Sequence, residues 1–442
     1  MWIRHPIRTA PVRIGVTRTG TIQPAIDLAA TKSGVDLNVL CAEGTYTPTL
    51  MWGGGTARHA SFVMRDDVKL RGGYVGWNGG SPGSILFDDP DGRYNKTILS
   101  GFLAPGVNSY HVVVADSAFV FTGCTIDGFL ITEGIADEPA GSSDEDKGGG
   151  LLNRKTETLV ENVTFRNNEA ISGGGAYNTG DKVLKIKLST FRFNEADNGA
   201  GLYVANPSLK VELCNVRFRD NGVEATTTRG GGMYVEFECN IEAANCVFND
   251  NEAGVAGGGV YVDVDDRPNA TDIHEWRHCT FAFNSVALPV PPAVSGGAGM
   301  HYDPGHANAT ITLDNSILYS NINGSDLRVL GGTFTYSFCD IGNIVGGLDG
   351  GGNLSVDPLF VNPASGNFRL RGPTMILPWS PCLDVGSDTL IGPDFLDIDD
   401  DGSFALLPWD FDHRARQLDV PSVGGSDTVD MGAYEAPLGI LE

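Results

Sequence analysis

Apolar residues through the middle of the chain fall in short runs, not in helical stripes. "LKIKL" at 184–188 and "LKVEL" at 209–213 alternate with a period of two, and turn residues separate such runs. Alternation of this kind predicts half-buried β-strands. Strands this short cannot bury a face alone, so the pattern demands stacking against further strands.

The runs belong to a repeat. "FRNNEAISGGGAYN" at 165 returns as "FRFNEADNGAGLY" at 191, "FRDNGVEATTTRGGGMY" at 218 and "FNDNEAGVAGGGVY" at 248. A longer version starts at 281 and a worn one, "LYSNINGSDLRVLGG", at 318. Successive spacings are 26, 27, 30, 33 and 37 residues, with insertions between the asparagine and the glycines. Periods of this size predict a solenoid. With neighbouring strands about 4.8 Å apart, the product is an all-β, single-stranded right-handed parallel β-helix. In each unit the phenylalanine points inward, and Val163, Ser189, Val216, Cys246, Cys279 and Ser316 sit two positions earlier. Asn168, Asn194, Asn221, Asn251, Asn284 and Asn321 form a column that reads as an inward ladder. Asparagine pairs with the coils above and below and tolerates the left-handed corner. Asn162, Asn215, Asn245 and Asn315 make a less complete second column.

The expected organisation is an N-terminal cap and first coils over 1–100, regular repeats over 101–345 and a C-terminal extension or cap over 346–442. "GTIQPAIDLAATKSG" predicts a short helix closing the first open end, and "VDLNVLCAEGTYTPTL" the first strand and a loop. "DEPAGSSDEDKGGG" at 137–150 reads as a mobile acidic loop.

Composition sharpens this picture. The 442 residues include 59 glycines and 23 prolines, which suits frequent corners. A formal net charge of −25 disfavours nucleic acid and suits cations and an extracellular setting. The eight cysteines form no CxxC pair, and Cys246 and Cys279 read as buried thiols, with a bridge between adjacent coils as the alternative. No apolar run reaches the roughly 18 residues of a membrane span. The N-terminus "MWIRHPIRTAPVRIGV" has no signal-peptide core, so an extracellular or cell-surface address implies a leader that this chain does not carry.

"GTYTP", "DPLFVNPASGNFRL", "SPCLDVGS" and "DMGAYE" resemble secreted bacterial β-helix proteins of the choice-of-anchor Q type. The FxxN and GGxxY units are similar to polymorphic outer-membrane protein repeats. The resemblance implies a pectate-lyase-like fold, secreted or held at the surface, and leaves activity open because the fold hosts both enzymes and adhesins.

The glycine clusters align a ring column, Tyr177, Tyr203, Tyr234 and Tyr261, with His301 in fifth place. Alternation puts Leu202, Met233, Val260 and Met300 inward and the rings outward. A row of exposed rings can stack on sugar faces. Two residues on, Glu236, Asp263 and Asp303 fall on adjacent coils, about 5 Å apart. They read as a Ca²⁺ site, an acid/base pair including His301, or a solvated acidic face. Asp265, Asp266, Asp272, His274, Glu275 and His306 add to this flank. "DIDDDG" places Asp397, Asp399 and Asp401 like the start of a calcium loop, with Pro408 where a glutamate belongs. Lys185, Lys187 and Arg229 lack a partner that would complete a lyase or hydrolase set.

The leading expectation is a secreted or surface β-helix that binds extracellular polysaccharide or cell-surface glycans, or mediates adhesion, and is stabilised by calcium. The rivals are a polysaccharide lyase or glycoside hydrolase acting on an acidic polysaccharide at Asp263 and Asp303, and a structural spacer.

Overall fold

The computed structural model describes residues 12–436 except 18–19, 33–36, 75–96, 140, 142–143, 223–227, 237–238, 265–271, 288–295, 305–308, 373–377 and 418–428. The chain is a right-handed parallel β-helix, as the repeat predicts. A coil lays down three main strands, and in one they are Leu151–Arg154, Thr158–Glu161 and Thr164–Arg166, on faces one, two and three. Each pairs in parallel with its counterpart one coil on.

Strict register is what turns the repeat into columns. Phe165, Phe191, Phe218, Phe248 and Phe281 lie opposite one another in turn. Their rings stack with centroids 4.6–4.8 Å apart and are buried completely. Beside them runs the asparagine ladder. Asn194 donates both its backbone N–H and its Nδ2 to Asn221 Oδ1, and Asn221 donates likewise to Asn251. The Asn221 Nδ2 also donates to the Phe191 carbonyl. At the far end Asn321 donates to the Asp326 carboxylate instead of another amide.

The ladder residues are not the left-handed ones. The positive φ belongs to the residue before each: Asn167, Phe193, Asp220, Asp250, Phe283 and Ser320, at 53–58°. The second column does take this conformation, with Asn162, Leu188, Asn215, Asn245, His278 and Asn315 at 48–54°. Such a φ costs a residue other than glycine about 1 kcal/mol, which the flanking strand register offsets. Glycine is needed for another reason at Gly201, where a Cβ would lie 2.3 Å from the Gly232 carbonyl oxygen of the next coil.

The N-terminal end is closed as expected, with one strand more than the sequence placed. Val12–Val16 pairs in parallel with Leu37–Ala42, and the helix Ile22–Ala30 crosses between them. Ile22, Ala25, Ile26 and Ala29 face the core. The Gln23 side chain completes the first rung of face one: its Nε2 donates to the Val63 carbonyl, and its Oε1 accepts from the Val63 N–H.

The C-terminal extension runs back along the flank. Asn215 donates to the Asp410 carbonyl, Asn245 to that of Trp409, and Asn315 to that of Ser387. The second asparagine column therefore docks the extension at the corner between faces two and three. Phe360, Phe368, Phe411, Met431 and Tyr434 pack there against Val247, Ala282 and Ile317. Arg416 and Glu435 form a buried ion pair at 2.7 Å beneath it. The last rungs of faces one and two, Ile344–Val345 and Leu348–Asp349, keep Val345 and Leu348 exposed. All eight cysteines are buried free thiols, so no disulfide joins the coils.

Candidate functional site

The ring column exists but is not a platform. Tyr177, Tyr203, Tyr234, Tyr261 and His301 project outward from face one, opposite one another on successive coils. Each is nonetheless only 5–8% exposed. One coil of rise brings the rings face to face, with centroids 4.8–5.2 Å apart, so neighbouring rings cover the faces a sugar would need. This corrects the expectation of an exposed strip: the alternation gives the side of the strand, not its exposure. Ala205 and Ala256 complete the cover.

The carboxylates two residues on are tied into the same column. Tyr203 donates its hydroxyl to Glu236 at 2.8 Å, and Tyr234 donates to Asp263 at 2.7 Å. Asp263 and Asp303 are register partners on adjacent coils, as the spacing predicts. Burial raises the tyrosine hydroxyls of this column above their ordinary range, so they stay protonated donors. His301 fits poorly as an acid or base. Its Nδ1 accepts from the Gly297 N–H at 3.0 Å, and burial lowers it to about 3, with Arg328 and Arg229 adding to the shift. His274 and Asp272 are buried, and Glu275 pairs with Arg277 at 3.0 Å. Asp265, Asp266 and His306 lie outside the described residues.

The cation-like loop is present with one ligand exchanged. Oxygens of Asp394, Asp397 and Asp399 come within 4.8 Å of one another, and this is the group of that kind among the described residues. Asp401 turns away, because its carboxylate accepts from the Ser403 N–H of its own turn. Left-handed φ at Asp397 and Asp400 redirects the chain between them. Asp394 is buried, accepts from the Ile398 N–H, and is raised by that burial. Lys187 finds the partners the sequence could not show: Asp400 at 2.9 Å and Glu161 at 3.4 Å. Lys185 pairs with Glu157, and Arg229 lies over the Tyr261 ring.

A denser constellation lies at the N-terminal end of the ring column, where sequence reasoning named no site. Trp52 follows the short strand Leu50–Met51, which pairs antiparallel with Ala60–Val63. Its N–H donates to the His59 carbonyl at 2.9 Å. Its ring is half-buried, packs edge-on to His111, and has the Arg154 guanidinium 5.7 Å away. The turn Ala57–His59 brings up two more groups. Arg58 lies 4.0 Å over the Tyr110 ring and pairs with Asp137 at 2.5 Å. His59 has Nδ1 against the Thr56 hydroxyl at 2.6 Å and Nε2 against Glu145 at 3.3 Å. Tyr110 donates to Glu138 at 2.6 Å, and Arg154 donates to Asp144 at 2.5 Å. Burial lowers the neighbouring His111 to about 4, so it stays neutral behind the site.

The described carboxylates of the acidic insertion, Asp137, Glu138, Asp144 and Glu145, thus line one side of this constellation, while 140 and 142–143 lie outside the described residues. Two features could have pointed here: Arg58–His59 following the glycines of "MWGGGTARH", and five acids in "DEPAGSSDED" with no cations of their own.

Residues 149–341 match the family model described as a right handed beta helix region. No curated protein and no solved structure shows a significant match to the chain.

Proposed function

We propose that the protein is an extracellular or cell-surface β-helix that binds glycans, and that contact is made at the Trp52 end of the outer ring column. The observation that carries this reading is the contrast between Trp52 and the tyrosines. Trp52 packs against the same apolar cluster, yet it stays partly exposed where the tyrosines are buried. An aromatic face beside hydrogen-bonding groups is a common way to hold a sugar ring. The β-helix match and the resemblance to choice-of-anchor Q proteins support the class.

Affinity electrophoresis against a panel of neutral and acidic polysaccharides tests this. Retardation by at least one glycan is expected, with Trp52→Ala reducing affinity about tenfold or more and Tyr234→Phe leaving it unchanged. Retention of full affinity in Trp52→Ala would remove the site.

The same reading includes a stabilising calcium ion, placed at Asp394, Asp397 and Asp399. Hard oxygen donors of this kind suit calcium, and a buried carboxylate such as Asp394 gains from a cation. Calcium should raise the melting temperature of the protein and leave that of Asp394→Asn unchanged. An equal response in both would remove the ion from this loop.

A further inference from the structure

Asp137, Glu138, Asp144 and Glu145, from the acidic insertion, form a strap beside Trp52 that is held in an unusual way. None of Asp137, Glu138, Pro139, Gly141, Asp144 or Glu145 is buried. The strap is fastened at its base by backbone: the Ile135 N–H donates to Ser109, and the N–H groups of Ile171 and Ser172 donate to the Asp146 carbonyl. Between those points four acidic side chains reach across to the coils. Asp137 meets Arg58, Glu138 accepts from Tyr110, Asp144 meets Arg154 and Glu145 meets His59. Partly exposed pairs of this sort contribute little each and are screened by salt.

The groups on the other side are the unusual part. The chain has 30 lysines and arginines against 55 acids. Even so, His59 and Arg154 meet at Trp52 from a turn and a separate strand of face one, with Arg58 beside His59 in the same turn. Two of them border Trp52, through the His59 carbonyl and the Arg154 guanidinium, and Arg58 extends the row over the Tyr110 ring. Arginine forks match carboxylates in geometry. Each of these groups already holds a carboxylate, so the site is shaped for that ligand chemistry.

We infer that Arg58, His59 and Arg154 form a seat for a carboxylate-bearing sugar of the uronate class, which the strap's own carboxylates occupy as an internal competitor. This inference rests on the glycan-binding reading and deepens it. Ligand and strap exclude one another at the arginines, so apparent affinity equals the intrinsic affinity reduced by the fraction of molecules with the strap displaced. The overall negative charge of the protein opposes a long polyanion at distance. Beyond about 8 Å that repulsion is screened at physiological salt, and the groups beside Trp52 decide the outcome for a short acidic oligosaccharide.

The test compares calorimetric binding of a short oligogalacturonate and of a neutral cello-oligosaccharide of equal length. The proteins are the wild type, the strap variant Asp137→Asn/Glu138→Gln/Asp144→Asn/Glu145→Gln, and the same variant with Arg154→Gln. Circular dichroism checks that each keeps its β-structure, and the single variant Glu145→Gln serves if the fourfold change does not fold. The strap variant should bind oligogalacturonate at least tenfold more tightly than wild type, and Glu145→Gln should gain a smaller factor. Arg154→Gln should cancel the gain, and neutral-oligosaccharide affinity should stay constant. Equal oligogalacturonate affinity in wild type and strap variant would overturn the competitor. A gain that survives Arg154→Gln would overturn the seat. Neutral glycan bound through Trp52, with oligogalacturonate bound by none of the proteins, would sink this inference alone. Absence of binding to either sugar in every protein would sink the glycan reading with it.

Discussion

Two stacks of rings run along the solenoid, one inside it and one outside. The inner phenylalanines lie 4.6–4.8 Å apart and the outer tyrosines 4.8–5.2 Å apart, and both sets are buried. Stacking therefore follows from the rise of the coil, whichever way a side chain points. The difference lies at the tips. Inner rings end in hydrocarbon, flanked by amides that satisfy one another. Outer rings end in hydroxyls, of which those of Tyr203 and Tyr234 donate to carboxylates, and the column closes on a histidine. The inner stack is held by packing, the outer one partly by charge, so the two should fail under different conditions.

Phe218→Ala should do the most damage, because it opens a cavity among fully buried rings. A loss of about 3–5 kcal/mol is expected by denaturant unfolding. A loss near 1 kcal/mol would mean that the stack collapses to fill the gap, and would erase the contrast with the outer column. Asn221→Ala comes next at about 3 kcal/mol. It strands two Asn194 donors and the Phe191 carbonyl in the interior.

The outer stack should respond to pH through His301, whose folded value near 3 lies below its unfolded one. Its contribution is present above about pH 6.5 and is lost as pH falls toward 3. His301→Gln keeps an acceptor for the Gly297 N–H and removes the titration. By pH 5 the variant should have recovered about 2 kcal/mol relative to wild type, compared with their difference at pH 7.5. Parallel pH profiles for the two proteins would show that the column does not sense acid. Tyr234→Phe should have the smallest effect, about 1 kcal/mol, because it removes one hydroxyl and keeps the ring in place. A loss as large as that of Asn221→Ala would place the outer stack on the same footing as the inner one.

These columns also show where a sequence stops being informative. The coil was legible because its chemistry is local: phenylalanine, asparagine and glycine recur at fixed offsets, and the register follows. The ladder was legible too, although the left-handed corner fell on Asn167 and its equivalents, one residue before the pairing amides. Burial of the tyrosines was not legible, because it depends on neighbours a full coil away in sequence. At the acidic loop, backbone turns at Asp397 and Asp400 replaced Asp401 by Asp394, a change that spacing cannot reveal. The Trp52 site joins residues as far apart in the chain as Trp52 and Arg154, so no linear motif records it.

The path of the C-terminal extension bears on how such a protein can change length. Its grip is on Asn215, Asn245, Thr280 and Asn315, all at the side of existing coils. The final rungs of faces one and two carry none of these contacts, whereas on face three Asp340 accepts from the Cys382 thiol at 3.4 Å. Tandem duplication of a coil beyond residue 319 would lengthen the rod and leave the grip at Asn215, Asn245, Thr280 and Asn315 in place, at the cost of the Cys382–Asp340 contact. Duplication between 215 and 315 would shift that side against its partner by a full rung. The fold thus has one end held by fewer contacts, where coil number can vary more readily, and a central stretch whose coil number is fixed by what leans on it.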